Sequence, residues 1–536
     1  MKSWILNTIK PEEFAEKDSK TAGISFEALV PATQIRIVAM EFLKNDYFLE
    51  SLTAVDFSEC IELVYHFNQY SAANRCCIKV VVAKDGNAPL SSPSISSVYA
   101  SANWFEREIC EMFGVTFLGH PHLKRLLLPE SSTIHPLLKS FKGEPKGSDV
   151  EHCLKLIEED AHGFEITYPQ SITKQDKNYY LNLGPQHPST HGVLRVLLHL
   201  SGERVLDAEP VIGYSHRHQE KMMEIQNYLA CWPNFGRLDY VGAMSYNFGY
   251  ALLIEKAMGV QPSPRVESIR VLTTELNRIA SHLLWMGTFL LDLGAFTPFF
   301  YAFDDREQIL DILEMVTGER LTYDYFRFGG LDHDVPEEFV PAVKRFIPEF
   351  KKRLKDYHSL VTKNVIFERR TKGIGLLTKE AAIAYGVTGP SLRASGVAAD
   401  LRRDEPYSIY PELEFNVPTS KDGDVFARYS IRVAEMSESL GIISQLIDKI
   451  PAGEIKAGKL PKNVAKGEYY SAVESARGSF GIYLVSDGTL NPYRMRLRTP
   501  SFSNLSAIAS MMKGNLVSDM IAILGSIDIV LPEIDR

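Results

Sequence analysis

Thiolates are scarce in this 536-residue sequence: the six cysteines, Cys60, Cys76, Cys77, Cys110, Cys153 and Cys231, include no C-x-x-C pair. Iron–sulfur clusters and nickel centres held by one chain need thiolates that converge at short spacing, so the sequence argues against a metal held through sulfur alone. Buried structural thiols are the expected alternative. Basic runs interleaved with aromatics are also missing and the net charge is −9, which speaks against a nucleic-acid surface. The first twenty residues hold no apolar run of signal-peptide length, so a cytoplasmic location is expected. There is no P-loop, no G-x-S-x-G, no H-E-x-x-H and no Rossmann glycine fingerprint after a strand, which removes nicotinamide binding as a first choice.

One long apolar run is present. Residues 283–303 carry a single charge, Asp292, over about the twenty residues that span a bilayer. Gly287, Gly294 and Pro298 interrupt it, and the series Ile269, Leu272, Leu276, Ile279, Leu283, Met286, Leu290 begins well upstream at three-four spacing. That pattern predicts a central core helix rather than a membrane span. An aspartate inside such a segment is costly without a partner, so Asp292 is expected to have one.

With 45% hydrophobic and 23% charged residues, the composition is that of a globular protein of roughly two to four domains. Residues 1–141 are expected to form a small α/β domain, with helices near 33–44 and 102–115 and strands at 52–57, 61–67 and 76–84. Residues 142–177 turn polar and lose periodicity, which predicts a linker carrying at most one short helix. From 178 to 536 two or three strands, at 179–184, 193–202 and 204–214, lead into long helical patterns at 216–229, 240–258, 264–291, 306–316, 336–366 and 428–450. A β segment over 468–488 and 493–500 precedes two last helices. The fold class is α+β: the α/β unit, then a mainly helical domain with peripheral sheets.

The stretch "NLGPQHPSTHGVLR", residues 182–195, places His187 and His191 four apart. On a helix that spacing would stack two metal ligands, but Pro188 removes a backbone donor and restricts His187 to extended geometry, and Gly184 and Pro185 oppose a helix too. A shaped loop is expected instead. Other titratable candidates are His216, Arg217, His218, Glu220 and Lys221, then Arg237, Asp239 and Tyr240, then Glu275, Arg278, His282 and Asp292. A carboxylate bonded to one ring nitrogen of a histidine fixes which nitrogen faces a substrate, and a tyrosine beside such a pair makes two proton donors. Any one of these histidines alone reads as a satisfied structural residue, and spacing does not say which meet in space. The N-terminal domain shows no convergent titratable group and is expected to be wholly structural.

Longer strings carry a resemblance. "NLGPQHPSTHGVLR", "RLDYVGAMSYNFGYALLIEKAMGV", "IRVLTTELNRIASHLLWMGTFLLDLGA", "YFRFGGL" and "RGSFGIYLVSDGTLNPYRMRLRTPSF" resemble the D-type subunit of respiratory complex I, and "ANWFEREICEMFGVTFLGHPHLKRLLLP" resembles its C-type partner. In family order they resemble a fused C/D subunit of a bacterial NADH:quinone oxidoreductase. The related large subunit of membrane-bound [NiFe] hydrogenases shares the fold, and its metal-binding thiolates fall here on Asp239, Gly242, Val530 and Glu533. Without thiolates the soft nickel–iron site cannot be assembled and a cavity remains. The hydrogenase reading, and that of a purely structural docking subunit, stand as the alternatives.

The resemblance implies that this cavity admits a quinone head group, with menaquinone or ubiquinone as the substrate. His191 and Tyr240 would bond the two quinone oxygens and Asp292 would pair with His191. His187, Pro188, Ser189 and Thr190 would complete the loop at the head group. It further implies that the chain holds no cofactor, and that electrons come from a [4Fe–4S] cluster on a B-type partner, near Arg217, Arg237 and Thr322. The I-type ferredoxin-like subunit and the membrane H- and A-type subunits are the other implied partners. The chain would sit peripherally on the cytoplasmic side of the cell membrane, with no transmembrane helix of its own. Two departures are notable. The family usually reads "HRG" where His216-Arg217-His218 stands, so the backbone after Arg217 is expected to differ, and it often carries a titrating histidine where Thr322 stands.

Overall fold

The computed structural model describes residues 11–70, 72–84, 86, 89–142, 178–185 and 192–536. The quinone-loop candidates His187, Pro188, Ser189, Thr190 and His191 lie outside the described residues, as does the expected linker from residue 143.

The N-terminal domain is built on a five-stranded sheet of β1 (Glu13–Glu16), β2 (Phe26–Leu29), β3 (Phe48–Asp56), β4 (Cys60–Gln69) and β5 (Ala72–Ala83), in the order β1-β2-β5-β4-β3. The β2–β5 pair is parallel and the others are antiparallel. The sequence pattern missed β1 and β2, each only four residues long and, as EFAE and FEAL, without alternation of polar and apolar residues. Helices α1 (Ile35–Lys44) and α2 (Ala102–Phe113) cover one face, α1 burying Ile35, Val38, Ala39 and Phe42 at helical spacing. The other face packs on the C-terminal domain: Val55, Val64 and Cys77 share a core with Tyr470, Ala472, Tyr483 and Val485. Covered on both sides, β3 is buried along its whole length.

In the C-terminal domain, β6 (Asn178–Leu183), β7 (Arg195–Ser201) and β8 (Arg204–Val211) form an antiparallel sheet ordered β8-β7-β6. The helices α3 (Ala243–Met258), α4 (Pro264–Asp292), α5 (Phe296–Thr317), α6 (Phe339–Tyr357) and α7 (Val425–Leu446) form the bulk of the domain. The central helix α4 starts at Ser263, whose hydroxyl accepts from the Val266 N–H at 3.3 Å, with Pro264 in the first turn, where its missing N–H costs nothing. It stops at Asp292, before Gly294 in left-handed geometry. The apolar run 283–303 is thus divided between α4 and α5, and among the described residues no helix is long and apolar enough to cross a membrane. Strands β9 (Gly467–Glu474), β10 (Ser479–Ser486) and β11 (Arg494–Arg498) form a second antiparallel sheet that meets the N-terminal domain.

Three expected elements are broken up. The 216–229 pattern becomes a helix over only Gln219–Ile225, because His218 takes a left-handed backbone at φ 51°. The 336–366 pattern ends at Tyr357 and runs through a π turn, His358–Thr362, into a new helix that Asn364 caps. The tail folds into four short helices rather than two: Pro500–Ser506, Ile508–Met512, Met520–Ser526 and Leu531–Asp535.

The domain contact corrects the expectation that the N-terminal domain brings no convergent titratable group. Glu108 on α2 accepts from Arg496 Nη2 at 2.9 Å and from Arg536 Nη2 at 2.8 Å. Beside it, Glu220 accepts from Arg494 Nη2 at 2.6 Å and lies 3.3 Å from Arg496 Nη1. Arg75 pairs with Glu50 at 2.6 Å and with Glu405 at 2.9 Å while its guanidinium lies 4.1 Å from the Tyr470 ring centre. Arg496 and Arg536 stand 388 and 428 residues from Glu108, and only the docked domains bring them to it.

Candidate functional site

The site grows from the end of a short helix, Trp232–Leu238, where the chain turns through Asp239, Tyr240 and Gly242 into α3. Asp239 is fully buried; its Oδ1 accepts from the Gly242 N–H at 3.0 Å, closing the turn. Gly242 is required by contact, because a Cβ there would stand 2.5 Å from Asp239 Oδ2. Arg477, in the β9–β10 turn, grips the same carboxylate at 3.0 and 2.8 Å and donates to Ser281 of α4 at 3.2 Å. Its other arm reaches Asp528 at 3.2 Å. Burial raises the Asp239 carboxyl above the usual range while Arg477 opposes the rise.

Glu533 and Val530 lie in the same neighbourhood. Ser501 joins them, its N–H donating to Glu533 Oε1 at 3.0 Å and its Oγ accepting from the Val530 N–H at 3.3 Å. Burial, and then the Asp239 charge, push the Glu533 carboxyl well up. The four positions where the hydrogenase pattern puts thiolates are therefore neighbours in space, and they present two carboxylates, a glycine and a valine. Such a donor set does not fit a nickel–iron centre, which selects soft sulfur ligands. Among the described residues, no group of three or more His, Cys, Asp or Glu side chains is placed to hold a metal ion. Cys60, Cys76, Cys77, Cys110 and Cys231 are unpaired, three of them buried, and Cys153 lies outside the described residues.

Tyr240, the residue after Asp239 in this turn, has 40% of its surface exposed. Burial of the remainder raises its phenol, the Arg477 cation lowers it, and Asp239 and Asp528 raise it again. Asp292, the last residue of α4, is half-buried. Its expected partner His191 is outside the described residues.

Arg217 is exposed in the turn that carries His216 and His218. His216 bonds the Asp535 carbonyl through Nδ1 at 2.6 Å and His218 through Nε2 at 3.2 Å. Burial lowers both imidazoles, that of His218 to about 4 with His216 and Lys221 adding to the effect. Histidine at 218 thus accepts the left-handed backbone that glycine adopts freely. Arg237 is exposed and lies 3.6 Å from Asp324, two residues from Thr322, which has φ 53°. Arg237 and Thr322 therefore share one neighbourhood.

A second buried group involves other sequence candidates. Glu275 accepts from Arg402 at 3.1 Å, Tyr410 at 2.7 Å and Ser439 at 2.6 Å, with Arg278 3.2 Å away. Although burial raises this carboxyl, the two arginines hold it at about 2. His282 Nε2 lies 3.1 Å from Glu435 Oε2, and Glu435 Oε1 accepts from Arg393 Nε at 2.8 Å. Sequence reasoning did not single out Arg477, Asp528, Arg393, Arg432, Glu435 or Glu474. The available signal was a pair of charges three residues apart in an otherwise uncharged stretch, Glu474 and Arg477 in "VESARGSFGIYLV" and Glu435 and Glu438 in "VAEMSESLGII".

Residues 292–464 and 460–536 match the family of the respiratory-chain NADH dehydrogenase 49 Kd subunit, and residues 29–147 match that of the 30 Kd subunit. The D-type subunit of NADH-quinone oxidoreductase from Syntrophobacter fumaroxidans is 54% identical over 360 residues, 67% of this chain and 96% of the relative. The C/D-type subunit of the same enzyme from Bacteroides fragilis is 40% identical over 506 residues, covering 91% of this chain and 95% of the relative. That of Phocaeicola vulgatus is 40% identical over 516 residues, 95% of this chain and 99% of the relative. The chain therefore belongs to the fused C/D subunits of NADH-quinone oxidoreductase, respiratory complex I, which unite 30 kDa-type and 49 kDa-type domains in one polypeptide.

Proposed function

We propose that the pocket bounded by Asp239, Gly242, Val530 and Glu533, with Tyr240 at its rim, receives the quinone head group and that this chain is where complex I reduces quinone. The observation that carries the reading is the convergence of those four residues, none a thiolate, beside a half-exposed tyrosine anchored by a buried ion pair. Quinone reduction takes two electrons and two protons, so donors are needed at both carbonyl oxygens. Tyr240 supplies one. His191, oriented by Asp292, supplies the other from the loop that also carries His187, Pro188, Ser189 and Thr190. The Asp239–Arg477 pair fixes the backbone on which Tyr240 is mounted, and the low exposure of the pocket floor keeps competing water out.

Electrons are supplied by a [4Fe–4S] cluster on a B-type neighbour, against the face bearing Arg217, Arg237 and Thr322, where the two cations raise the potential of a nearby cluster. Thr322 cannot titrate, so the cluster potential depends weakly on pH, which favours menaquinone over ubiquinone. The remaining neighbours are the I-type subunit and the membrane H- and A-type subunits, and the chain works as a peripheral subunit on the cytoplasmic side of the membrane.

The test compares quinone reduction with electron transfer to a small artificial acceptor upstream of the site, in assembled complex carrying His191→Ala, Tyr240→Phe or Asp292→Asn. Loss of quinone turnover by about a hundredfold with normal upstream transfer is expected for a removed proton donor. Unchanged quinone kinetics in all three sinks the reading and leaves a structural docking subunit.

A further inference from the structure

Between the two domains lies a narrow cleft with a cavity of about 30 Å³, lined by Phe48 and Tyr70 from the N-terminal side and by Asp404, Glu405, Glu474 and Ser479 from the other. Asp404 and Glu405 are half-buried at this cleft, whereas Glu474 is only 2% exposed. From Glu474 charged side chains run inward in two clusters. In the first, Arg393 Nη1 donates to Glu474 Oε1 at 2.8 Å, Arg393 Nε donates to Glu435 Oε1 at 2.8 Å, and Glu435 Oε2 meets His282 at 3.1 Å. In the second, Arg432 lies 3.9 Å from Asp528 Oδ2, and Arg477 joins Asp528 Oδ1 at 3.2 Å to Asp239, the residue before Tyr240.

We propose that this network is a proton path from the interdomain cleft to the Tyr240 side of the quinone site. The inference rests on the quinone-site reading and adds the source of the protons. Among the described residues, Ser479 Oγ at the cleft, His282 Nδ1, Arg432 Nη2, Asp528 Oδ2 and Arg477 Nε are buried without a hydrogen-bond partner from the chain. Buried polar atoms of this kind are served by internal water. They fall in the gaps between the charged groups, where a proton path needs water to bridge.

The ionisable groups suit the task. Burial lifts Asp404 to about 6, so it exchanges protons with solvent near neutrality, and burial also raises Glu474 against the opposing pull of Arg393. Burial keeps His282 neutral against the pull of Glu435, and a neutral imidazole can accept a proton on one nitrogen and release one from the other. The arginines do not carry protons; they hold the carboxylates in line.

For each quinone reduced, two electrons from the iron–sulfur cluster of the neighbouring subunit and two protons from solvent make one quinol. One proton passes from the Tyr240 hydroxyl to a quinone oxygen as the phenol O–H bond breaks and the quinol O–H forms. The next proton along the path restores the phenol.

The experiment uses assembled complex in membranes with Asp404→Asn, which keeps an acceptor for the Asp400 N–H that Asp404 holds at 2.9 Å. Quinone turnover should fall about tenfold, less than the roughly hundredfold of a direct proton donor. Transfer to the small artificial acceptor should persist, the solvent deuterium isotope effect should grow, and Asp404→Glu should restore the rate. Unchanged turnover and isotope effect, or an equal fall in both activities, overturns the path. The quinone-site reading fails separately, by full quinone turnover in Tyr240→Phe.

Discussion

Arg477→Met removes the cation that holds the floor of the pocket, and its cost can be worked from the contacts. Arg477 is 1% exposed and makes two hydrogen bonds to Asp239 and one to Asp528, which are 0% and 7% exposed. Methionine fills most of the volume but leaves two buried carboxylates without this partner, a change worth about 3–5 kcal/mol. Against a net stability of about 5–15 kcal/mol for a typical domain, that is a large fraction. Asp239→Asn added to Arg477→Met removes one stranded charge and keeps the acceptor for Gly242, so the double variant should recover about 1–2 kcal/mol, within the range of coupling between contacting residues. The pH dependence has a defined sign. Without Arg477 the folded-state pKa of Asp239 climbs further above its unfolded value, so the native form holds the proton at a pH where the unfolded chain has released it. Stability then falls as pH rises from the unfolded pKa through the folded one, and the deficit is smallest in mild acid and grows toward neutrality. Thermal unfolding of the purified complex across that pH range is the assay. A loss under about 1 kcal/mol, no recovery in the double variant, or a deficit that shrinks toward neutral pH would refute the reasoning.

Further outcomes are expected elsewhere. Gly242→Ala pushes a Cβ against Asp239 Oδ2 at 2.5 Å and should cost about 1–3 kcal/mol through the displaced charge-assisted bonds, with quinone turnover falling alongside the melting temperature. Cutting the chain between residues 143 and 177 should leave the two domains associated on size-exclusion chromatography and quinone reduction intact, because the domain contact is buried and closing a longer loop costs little. In that cut chain, Glu108 is held below its ordinary value across the domain contact: burial raises it, but Arg496 and Arg536 more than offset that. Its contribution should be complete above the ordinary value of 4.5 and disappear as pH falls through the lowered folded value, which pH-stepped chromatography reads directly. Metal analysis of the purified chain should find no stoichiometric nickel, and one nickel per chain would revive the hydrogenase reading.

Much of the helical domain was legible because its signals are local. The three-four apolar series from Ile269 to Leu290 specified α4, and Ser263-Pro264 marked its start within the sequence itself. The same pattern could not see where a helix is interrupted by backbone geometry. At His218 and in the turn after Tyr357, helical periodicity continues across residues that leave the α conformation. Strands β1 and β2 escaped notice because four residues with no alternating pattern carry too little signal, and their stability comes from pairing onto β5 through β2. For the site, the strings around Tyr240 and Asp292 drew attention to this region through resemblance. The residues that hold Tyr240 in place did not stand out, because Asp239 and Arg477 are 238 positions apart and only the fold makes them neighbours. The same holds for Glu108 and Arg536, 428 positions apart, and it is why the N-terminal domain looked free of converging charge.

The central claim, that quinone is reduced in the pocket beside Tyr240, is tested most directly by labelling the intact complex with a photoreactive quinone analogue and mapping the modified peptides. The label should fall on the segment containing Tyr240 and on the loop at residues 186–191, should be displaced by excess quinone, and should decline at Tyr240 in the Tyr240→Phe variant. Displaceable label confined to other subunits, or to the N-terminal domain of this chain, would contradict the account.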